Sequence, residues 1–209
     1  ETKDSFMDIC PSHPKTLVTI LHLVEQVLDF HPSIDAIHIG ADEVFGIGSC
    51  RECSLIKKEI GIERLYTDFL KLVSKGVREL LTVKYAGSQI PILCWDDMYR
   101  NWSVQNLLTL TDMIVPVVWN YEPDIGTLIP PEVFDRFDQA FPSYFAATAF
   151  KGATAPHTIF PPLVERMRNH ASWIKCIESH KNIKSVFVTG WARFTHTTVL
   201  CEPLPAAIP

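Results

Sequence analysis

The sequence lacks the features that mark several classes of protein. It has 209 residues, no basic tract and a formal net charge of -5, so a polyanion such as nucleic acid is an unfavourable partner. No apolar run reaches the length of a membrane-spanning helix. The tetrapeptide from Glu1 to Asp4 lacks the basic and apolar regions of a secretory signal. We therefore expect a globular chain that binds neither nucleic acid nor a membrane.

Cysteine is scarce as well. Six cysteines in a chain of this length are too few for a disulfide scaffold. Four of them lie in or near apolar segments, as buried thiols do: Cys10, Cys94, Cys176 and Cys201. Few cysteines in apolar surroundings indicate a reducing compartment, and we expect the cytoplasm or the nucleus.

The pair Cys50 and Cys53 has the CxxC spacing of metal and redox sites. No second CxxC pair and no suitably spaced histidine pair accompanies it, so a zinc site would lack half of its ligands. We interpret the pair as part of a loop or a helix start, and we expect no metal and no cofactor.

Amphipathic segments alternate with short apolar runs along the chain. Apolar residues at helical spacing predict helices over about 14–30, 62–81 and 163–178, with Ser12 as a cap for the first. Apolar runs predict strands over 36–39, 90–95, 113–119, 144–150 and 185–191. Wholly apolar strands between amphipathic helices indicate an α/β fold, with a parallel sheet covered by helices.

Two parallel architectures compete for this pattern. A doubly wound sheet usually has a glycine-rich phosphate loop after its first strand, and Gly46-Ile47-Gly48 lacks the remaining glycines. A (β/α)₈ TIM barrel fits better, because polar and aromatic residues follow each apolar run, as catalytic residues do in barrels. Only five strands are readable against the eight of a barrel. We expect a fragment in which residues 1–209 form one partial domain, lacking about the first three strands and cut in the last helix near Pro209.

The acidic pair Asp42-Glu43 is the most informative feature of the chain. It closes the run Ile37-His38-Ile39-Gly40, at the carboxyl end of a predicted strand. Like charges held close disfavour joint ionisation, so one carboxyl is shifted toward the protonated form near neutral pH while its neighbour stays charged. The pair therefore supplies an acid beside an anion. The competing interpretation is that both acids begin a solvated loop.

Five blocks of residues together resemble the β-N-acetylhexosaminidases of glycoside hydrolase family 20, in particular the hexosaminidase D type. The blocks are HIGADEVF at 38–45, CWDDM at 94–98, PVVWNY at 116–121, AFKGAT at 149–154 and TGWARF with VLCEPLP between 189 and 205. Ala41 replaces the second glycine of the His-x-Gly-Gly-Asp-Glu signature. The resemblance implies a (β/α)₈ barrel in which these blocks end strands four to eight.

The resemblance also implies the chemistry. Family members cleave terminal β-linked N-acetylhexosamine, GalNAc or GlcNAc, with retention, and the substrate's acetamido oxygen is the nucleophile. Glu43 would then be the general acid and base, and Asp42 would orient the acetamido group and stabilise the oxazolinium ion. Successive strand side chains point to opposite faces, so both roles require a backbone bend at the pair.

Aromatic and polar residues at the other strand ends complete the predicted site. Trp95, Trp119 and Trp191 would wall the pocket for the acetamido methyl and the apolar face of the sugar. Tyr121 would donate its phenol to the acetamido oxygen, as a tyrosine near this position does in the family. Core packing is the alternative for each of these aromatic residues.

Further polar residues have supporting roles in this prediction. Asp96 or Asp97 would bind sugar hydroxyls or hold Glu43, and we favour Asp96, leaving Asp97 as a helix cap or loop acid. His38 would orient the acids or fill a core position, and Lys151 would be an ion-pair partner. The family's acid two residues after the last strand's tryptophan is absent, because Arg193 follows Trp191 and Ala192.

Two functions from different classes remain open at this point. The first is the glycosidase; the second is a truncated or inactive relative that binds glycans without turnover. Retention of both acids favours the glycosidase, because a binding protein needs no adjacent proton donor. The expected partner is a glycan or glycoconjugate that contains N-acetylhexosamine, and a homodimer is compatible with the resemblance.

Overall fold

The computed structural model describes residues 8–87, 89–195 and 198–203. The predictions about the N-terminal tetrapeptide and about a last helix near Pro209 lie outside these residues, as do Leu204 and Pro205 of the last block. The chain divides into two compact units. The first holds the residues up to Tyr99 and Leu108–Val115, and the second holds Arg100–Leu107 and the residues from Pro116 onward.

The first unit contains a parallel strand pair and three helices. Its elements are α1 Thr16–Asp29, β1 Ile37–His38, α2 Arg51–Ile60, α3 Ile62–Lys84 and β2 Ile92–Trp95. In the parallel ladder, Ile37 lies opposite Ile92. Backbone hydrogen bonds continue beyond β1, since Trp95 N–H donates to Gly40 O at 3.0 Å. The ladder thus brings the residues after β1 beside the end of β2.

Helix α3 buries a stripe of apolar side chains in the first unit. Leu65, Leu70, Val73, Val77 and Leu81 are each at most 6% exposed. These positions recur at three- to five-residue intervals, which places them on one face of a helix. Leu72 lies off this face and is 53% exposed.

Helix α1 begins without the predicted cap. Its N-cap residue is Lys15, which makes no side-chain capping bond. The hydroxyl of Ser12 instead lies 2.9 Å from Cys53 Sγ. The capping prediction for Ser12 was therefore wrong, because a partner 41 residues away in sequence takes up its hydroxyl.

The second unit contains three parallel strands and their helices. Its elements in chain order are α4 Val104–Leu107, β3 Val115–Trp119, a 3₁₀ turn Ile125–Thr127, α5 Pro131–Ala140, β4 Tyr144–Lys151, α6 Leu163–Ser179 and β5 Ile183–Gly190. β4 pairs in parallel with both β3 and β5. Buried aromatic side chains fill the space between β4 and its helices: Phe137, Phe141, Tyr144 and Trp173.

The structure confirms the α/β class and the five predicted strands, whose pairings within each unit are parallel. Helices α2, α4 and α5 were missing from the predicted order of elements. An eight-stranded barrel is not confirmed, and a single partial domain over 1–209 stays a prediction. Among the described helices, none has both the length and the hydropathy needed to cross a membrane.

Candidate active site

The chain turns sharply immediately after β1. Gly40, Ala41 and Glu43 have φ angles of +74°, +69° and +50°. Glycine tolerates this left-handed region, whereas a residue with a Cβ atom is strained there by roughly 1–2 kcal/mol. Such strain persists only where surrounding contacts enforce it, and it is common at functional sites. The backbone therefore has the bend that separate roles for Asp42 and Glu43 require.

Hydrogen bonds from neighbouring elements enforce this turn. Tyr66 on α3 donates its hydroxyl to Ala41 O at 3.0 Å. The N–H of Glu43 donates to Asp97 Oδ2 at 2.8 Å. Together with the bond from Trp95 to Gly40, these contacts fix three consecutive peptide groups around the acidic pair. Helix α3 and the end of β2 thus hold the turn in its left-handed conformation.

The environment raises the pKa of both acids in the pair. For Asp42, loss of hydration is the largest cause, a backbone hydrogen bond opposes it, and the charge of Asp97 adds to the rise in pKa. Asp42 lines an apolar cavity of about 360 Å³, together with Ile39, Tyr66 and Phe69. These apolar walls explain the loss of hydration.

The pKa of Glu43 is raised first by loss of hydration, then by the charge of Asp42 and then by that of Asp97. Both side chains of the pair still reach solvent. An ionised Asp42 therefore favours the protonated form of Glu43, which is the state a general acid needs.

The two aspartates after β2 differ in their surroundings. Asp97 is the residue that accepts the N–H of Glu43, and it is partly exposed. Asp96 is fully buried. The sequence analysis favoured Asp96 as the partner of Glu43, but the acid that accepts the Glu43 N–H is Asp97, which lies in the turn after β2 as a loop acid does. The role of Asp96 in binding sugar hydroxyls stays a prediction.

His38 and Trp95 lie against each other at the ends of β1 and β2. Their ring centroids are 4.4 Å apart. His38 Nδ1 accepts the N–H of Gly40 at 3.0 Å, so this nitrogen carries no proton. Loss of hydration lowers the pKa of His38 to about 4. A neutral His38 thus supports the first residue of the turn.

In the second unit, Trp119 and Tyr121 form an aromatic pair at the end of β3. Their ring centroids are 5.2 Å apart, with the ring planes tilted by 34°. The guanidinium of Arg100 lies 5.6 Å from the Trp119 ring centroid, and Arg100 donates to Trp119 O at 2.9 Å. Two of the predicted aromatic residues are therefore adjacent.

Helix α6 anchors the backbone on either side of Tyr121. Asn169 is fully buried and donates to Asn120 O at 3.0 Å and to Glu122 O at 2.5 Å. Arg166 donates to the carbonyl of Tyr121 at 2.9 Å. Because three consecutive carbonyls are held by one helix, the position of the Tyr121 ring depends on α6.

Trp191 follows β5 and packs closely against Gly152. A Cβ atom at residue 152 would lie 2.0 Å from Trp191 O, and the φ angle of Gly152 is +80°. Only glycine fits there. The indole of Trp191 remains accessible, since the residue is 39% exposed. Trp102 and Trp173 are buried.

Glu202 is a candidate site residue that the motifs did not single out. It is fully buried, and its Oε2 accepts the N–H of Gly152. Its Oε1 has no hydrogen-bond partner among the described residues. Lys151, predicted as an ion-pair partner, reaches the backbone O of Glu202 at 3.5 Å. The sequence signal that could have identified Glu202 is its position as a charged residue inside the apolar run Val199 to Pro203.

No family model matches the chain. Two curated relatives named Hexosaminidase D do: the human protein is 32% identical over 208 residues, and the bovine protein is 28% identical over 206 residues. Each alignment covers 95% of this chain. These matches support a hexosaminidase D-type assignment. The chain spans 41% of the length of the human relative and 58% of that of the bovine relative.

The structure brings the predicted residues of this chain into groups within each unit. In the first unit, contacts in and around the turn connect the acidic pair with its neighbours: His38, Asp42, Glu43, Trp95 and Asp97. In the second unit, Trp119 and Tyr121 are in contact, and Trp191 follows β5 beside Gly152. The catalytic and binding roles of all these residues stay predictions.

Proposed function

We propose that the protein containing this chain is a glycosidase that removes terminal β-linked N-acetylhexosamine with retention of configuration. The names of the two relatives suggest a glycosidase. The observation that carries the proposal is the left-handed turn, which presents two adjacent carboxyl groups with raised pKa values. This combination of an acid and an anion suits the cleavage of a glycosidic bond.

Glu43 is the general acid and base in this proposal. In the first step the substrate's acetamido oxygen attacks the anomeric carbon, and Glu43 gives its proton to the departing glycosidic oxygen. In the second step the Glu43 carboxylate takes a proton from water, which opens the oxazolinium ring. Two inversions at the anomeric carbon give net retention. The raised pKa of Glu43 keeps the proton available for the first step.

Asp42 acts on the acetamido group. Its carboxylate accepts the acetamido N–H, which points the carbonyl oxygen toward the anomeric carbon. As the oxazolinium forms, positive charge develops on that group, and the negative Asp42 stabilises it. Hydrogen bonding of Glu43 N–H to Asp97 keeps the Glu43 backbone fixed while the side chain exchanges its proton.

The remaining predicted residues bind the sugar. Trp95, Trp119 and Trp191 offer apolar surface to the sugar ring and the acetamido methyl group, and Tyr121 donates to the acetamido oxygen. Asp96 accepts hydrogen bonds from sugar hydroxyls. The glycan partner, a homodimer and a cytoplasmic or nuclear location stay predictions.

The substrate-assisted step is tested by removing the nucleophile from the substrate. The intact protein should hydrolyse an aryl β-N-acetylhexosaminide at least about 100-fold faster than the matching aryl β-hexoside, which has a hydroxyl in place of the acetamido group. Equal turnover of the two substrates would contradict the proposal. Binding of N-acetylhexosamine by calorimetry, without turnover of either substrate, would favour the non-catalytic glycan-binding protein instead.

A further inference from the structure

Three cysteine side chains from two separate segments meet in the first unit. Cys10 Sγ lies 3.5 Å from Cys50 Sγ and 3.5 Å from Cys53 Sγ. All three sulfur atoms lie within 4.8 Å of one another. Cys53 is buried, and the other two are partly buried. The third thiol, 40 residues before the CxxC pair, is the ligand that the sequence spacing alone did not reveal.

The spacing of the sulfurs matches that of ligands around one metal ion. Zinc binds thiolate sulfur at about 2.3 Å, so two sulfurs on a tetrahedral zinc are separated by about 3.8 Å. The two distances from Cys10 are within a few tenths of an ångström of this value. A disulfide would use two of the three sulfurs and leave the third one unused, whereas a metal ion uses all of them.

The start of helix α2 and the hydroxyl of Ser12 lie beside two of the sulfurs. Cys50 is the N-cap of α2, and its Sγ accepts the N–H of Cys53 at 3.3 Å. The positive end of the helix dipole therefore lies at the CxxC pair and stabilises negative sulfur. The hydroxyl of Ser12, 2.9 Å from Cys53 Sγ, can donate to that sulfur and orient it.

We propose that Cys10, Cys50 and Cys53 bind a soft divalent metal ion, with zinc as the best fit. The three thiolates occupy three tetrahedral positions, and water occupies the fourth. Since the ligands deprotonate on binding, three protons are released into solution.

The metal would cross-link the segment before α1 to the loop that follows the acidic pair. The same two segments already meet where Asp8 Oδ2 accepts the N–H of Gly46 at 2.5 Å. The ion would therefore stabilise the loop beside Asp42 and Glu43 without taking part in glycosidic cleavage.

Metal content and cobalt substitution test the site in the intact protein. Purified under reducing conditions, the protein should contain one equivalent of zinc by mass spectrometry, and a thiol-blocking mercurial should release it. Replacing zinc with Co²⁺ should produce sulfur-to-cobalt charge transfer and the visible bands of tetrahedral cobalt. Absence of stoichiometric metal together with absence of these bands in the unmodified protein would overturn the proposal.

Serine variants identify the ligands. Cys10→Ser, Cys50→Ser and Cys53→Ser should each lose the metal and the tetrahedral cobalt spectrum, while Cys176→Ser, at a cysteine outside the cluster, should keep both. Circular dichroism checks that each variant is folded. Full retention of the metal in the three cluster variants would contradict the assignment, as would a disulfide among these cysteines in the metal-free native protein. The readout does not depend on glycosidase activity, so it is separate from the test of the proposed function.

Discussion

At the scale of single residues, Ala41 occupies a backbone conformation that suits glycine. Its φ angle is +69°, and the family signature has glycine at this position. Ala41→Gly removes strain but adds freedom to the unfolded chain, so it should raise the free energy of unfolding by up to about 1 kcal/mol. Ala41→Val should lower it by about 1–2 kcal/mol or more, because β-branched residues fit this region worst. Urea unfolding of the intact protein measures both changes.

A matched substitution on α6 controls for the general effect of glycine. Ala171 is exposed within this helix, and Ala171→Gly should lower the free energy of unfolding by about 1 kcal/mol. The same chemical change should thus have a smaller or opposite effect at residue 41. Equal destabilisation by both glycine substitutions would show that the turn after β1 is unstrained.

Asp97 should influence the pH dependence of the reaction through its charge. It is one of three causes that raise the pKa of Glu43, after loss of hydration and Asp42. Asp97→Asn keeps an oxygen for the Glu43 N–H but removes the charge, so the pKa of Glu43 should fall. A general acid works only while protonated, and the alkaline limb of kcat/KM against pH should therefore move to lower pH.

The control for this pH shift is Asp68→Asn on α3, where the carboxylate pairs with Arg64 in solvent. For Asp68→Asn, the alkaline limb of kcat/KM against pH should lie at the same pH as in the unmodified protein. If the alkaline limb of Asp97→Asn does not move, or moves to higher pH, the charge of Asp97 does not act on the catalytic acid.

Residue identity and order along the chain were sufficient to predict the acidic pair and its place at a strand end. They could not reveal the contact between Asp97 and Glu43 or that between Cys10 and the CxxC pair, because these depend on tertiary packing over 54 and 40 residues of sequence. The sequence also could not show whether Asp96 or Asp97 faces the turn. Side chains alternate between the two faces only within a strand, and both residues lie beyond the end of β2.

At the scale of elements, α6 determines the position of the loop after β3. Asn169→Ala removes the donors for two backbone carbonyls, the buried one of Asn120 and that of Glu122, and should lower the free energy of unfolding by about 1–3 kcal/mol. It should also raise KM more than it lowers kcat, because Tyr121 binds substrate in our proposal. Denaturant unfolding and steady-state kinetics measure these effects.

The exposed residue Lys175 on the same helix provides the control. Lys175→Ala should change the free energy of unfolding by less than about 0.5 kcal/mol and leave KM unchanged. If the Asn169→Ala variant is stable and its KM is unaltered, α6 does not position a substrate-binding residue.

The elements that were predicted correctly have a strong apolar pattern. All five strands and helices α1, α3 and α6 were found within a few residues of their observed bounds. Helices α2, α4 and α5 were missed because they are short, with 10, 4 and 10 residues, and at least half of their residues are polar. Tertiary contacts and caps, such as Cys50 at the start of α2, stabilise them, and periodicity does not detect such contacts.

At the scale of the whole molecule, apolar residues on β5 reach solvent. Val186, Phe187 and Val188 are 37%, 38% and 54% exposed. Exposed apolar strands promote association between chains. We predict that the 209-residue chain expressed by itself aggregates. Static light scattering and thermal unfolding measure this, and a cooperative monomeric melt of the short chain would contradict the prediction.

The most direct test of the central claim compares two variants of the intact protein on substrates that differ in leaving group. Glu43→Gln keeps the shape of the side chain but removes its proton donor. Hydrolysis of an alkyl β-N-acetylhexosaminide should fall by about 10²–10⁴-fold, and that of an activated aryl substrate by much less. Asp42→Asn removes charge stabilisation and should slow both substrates to a similar extent. Full activity of Glu43→Gln on the alkyl substrate would contradict the assignment of Glu43 as the acid.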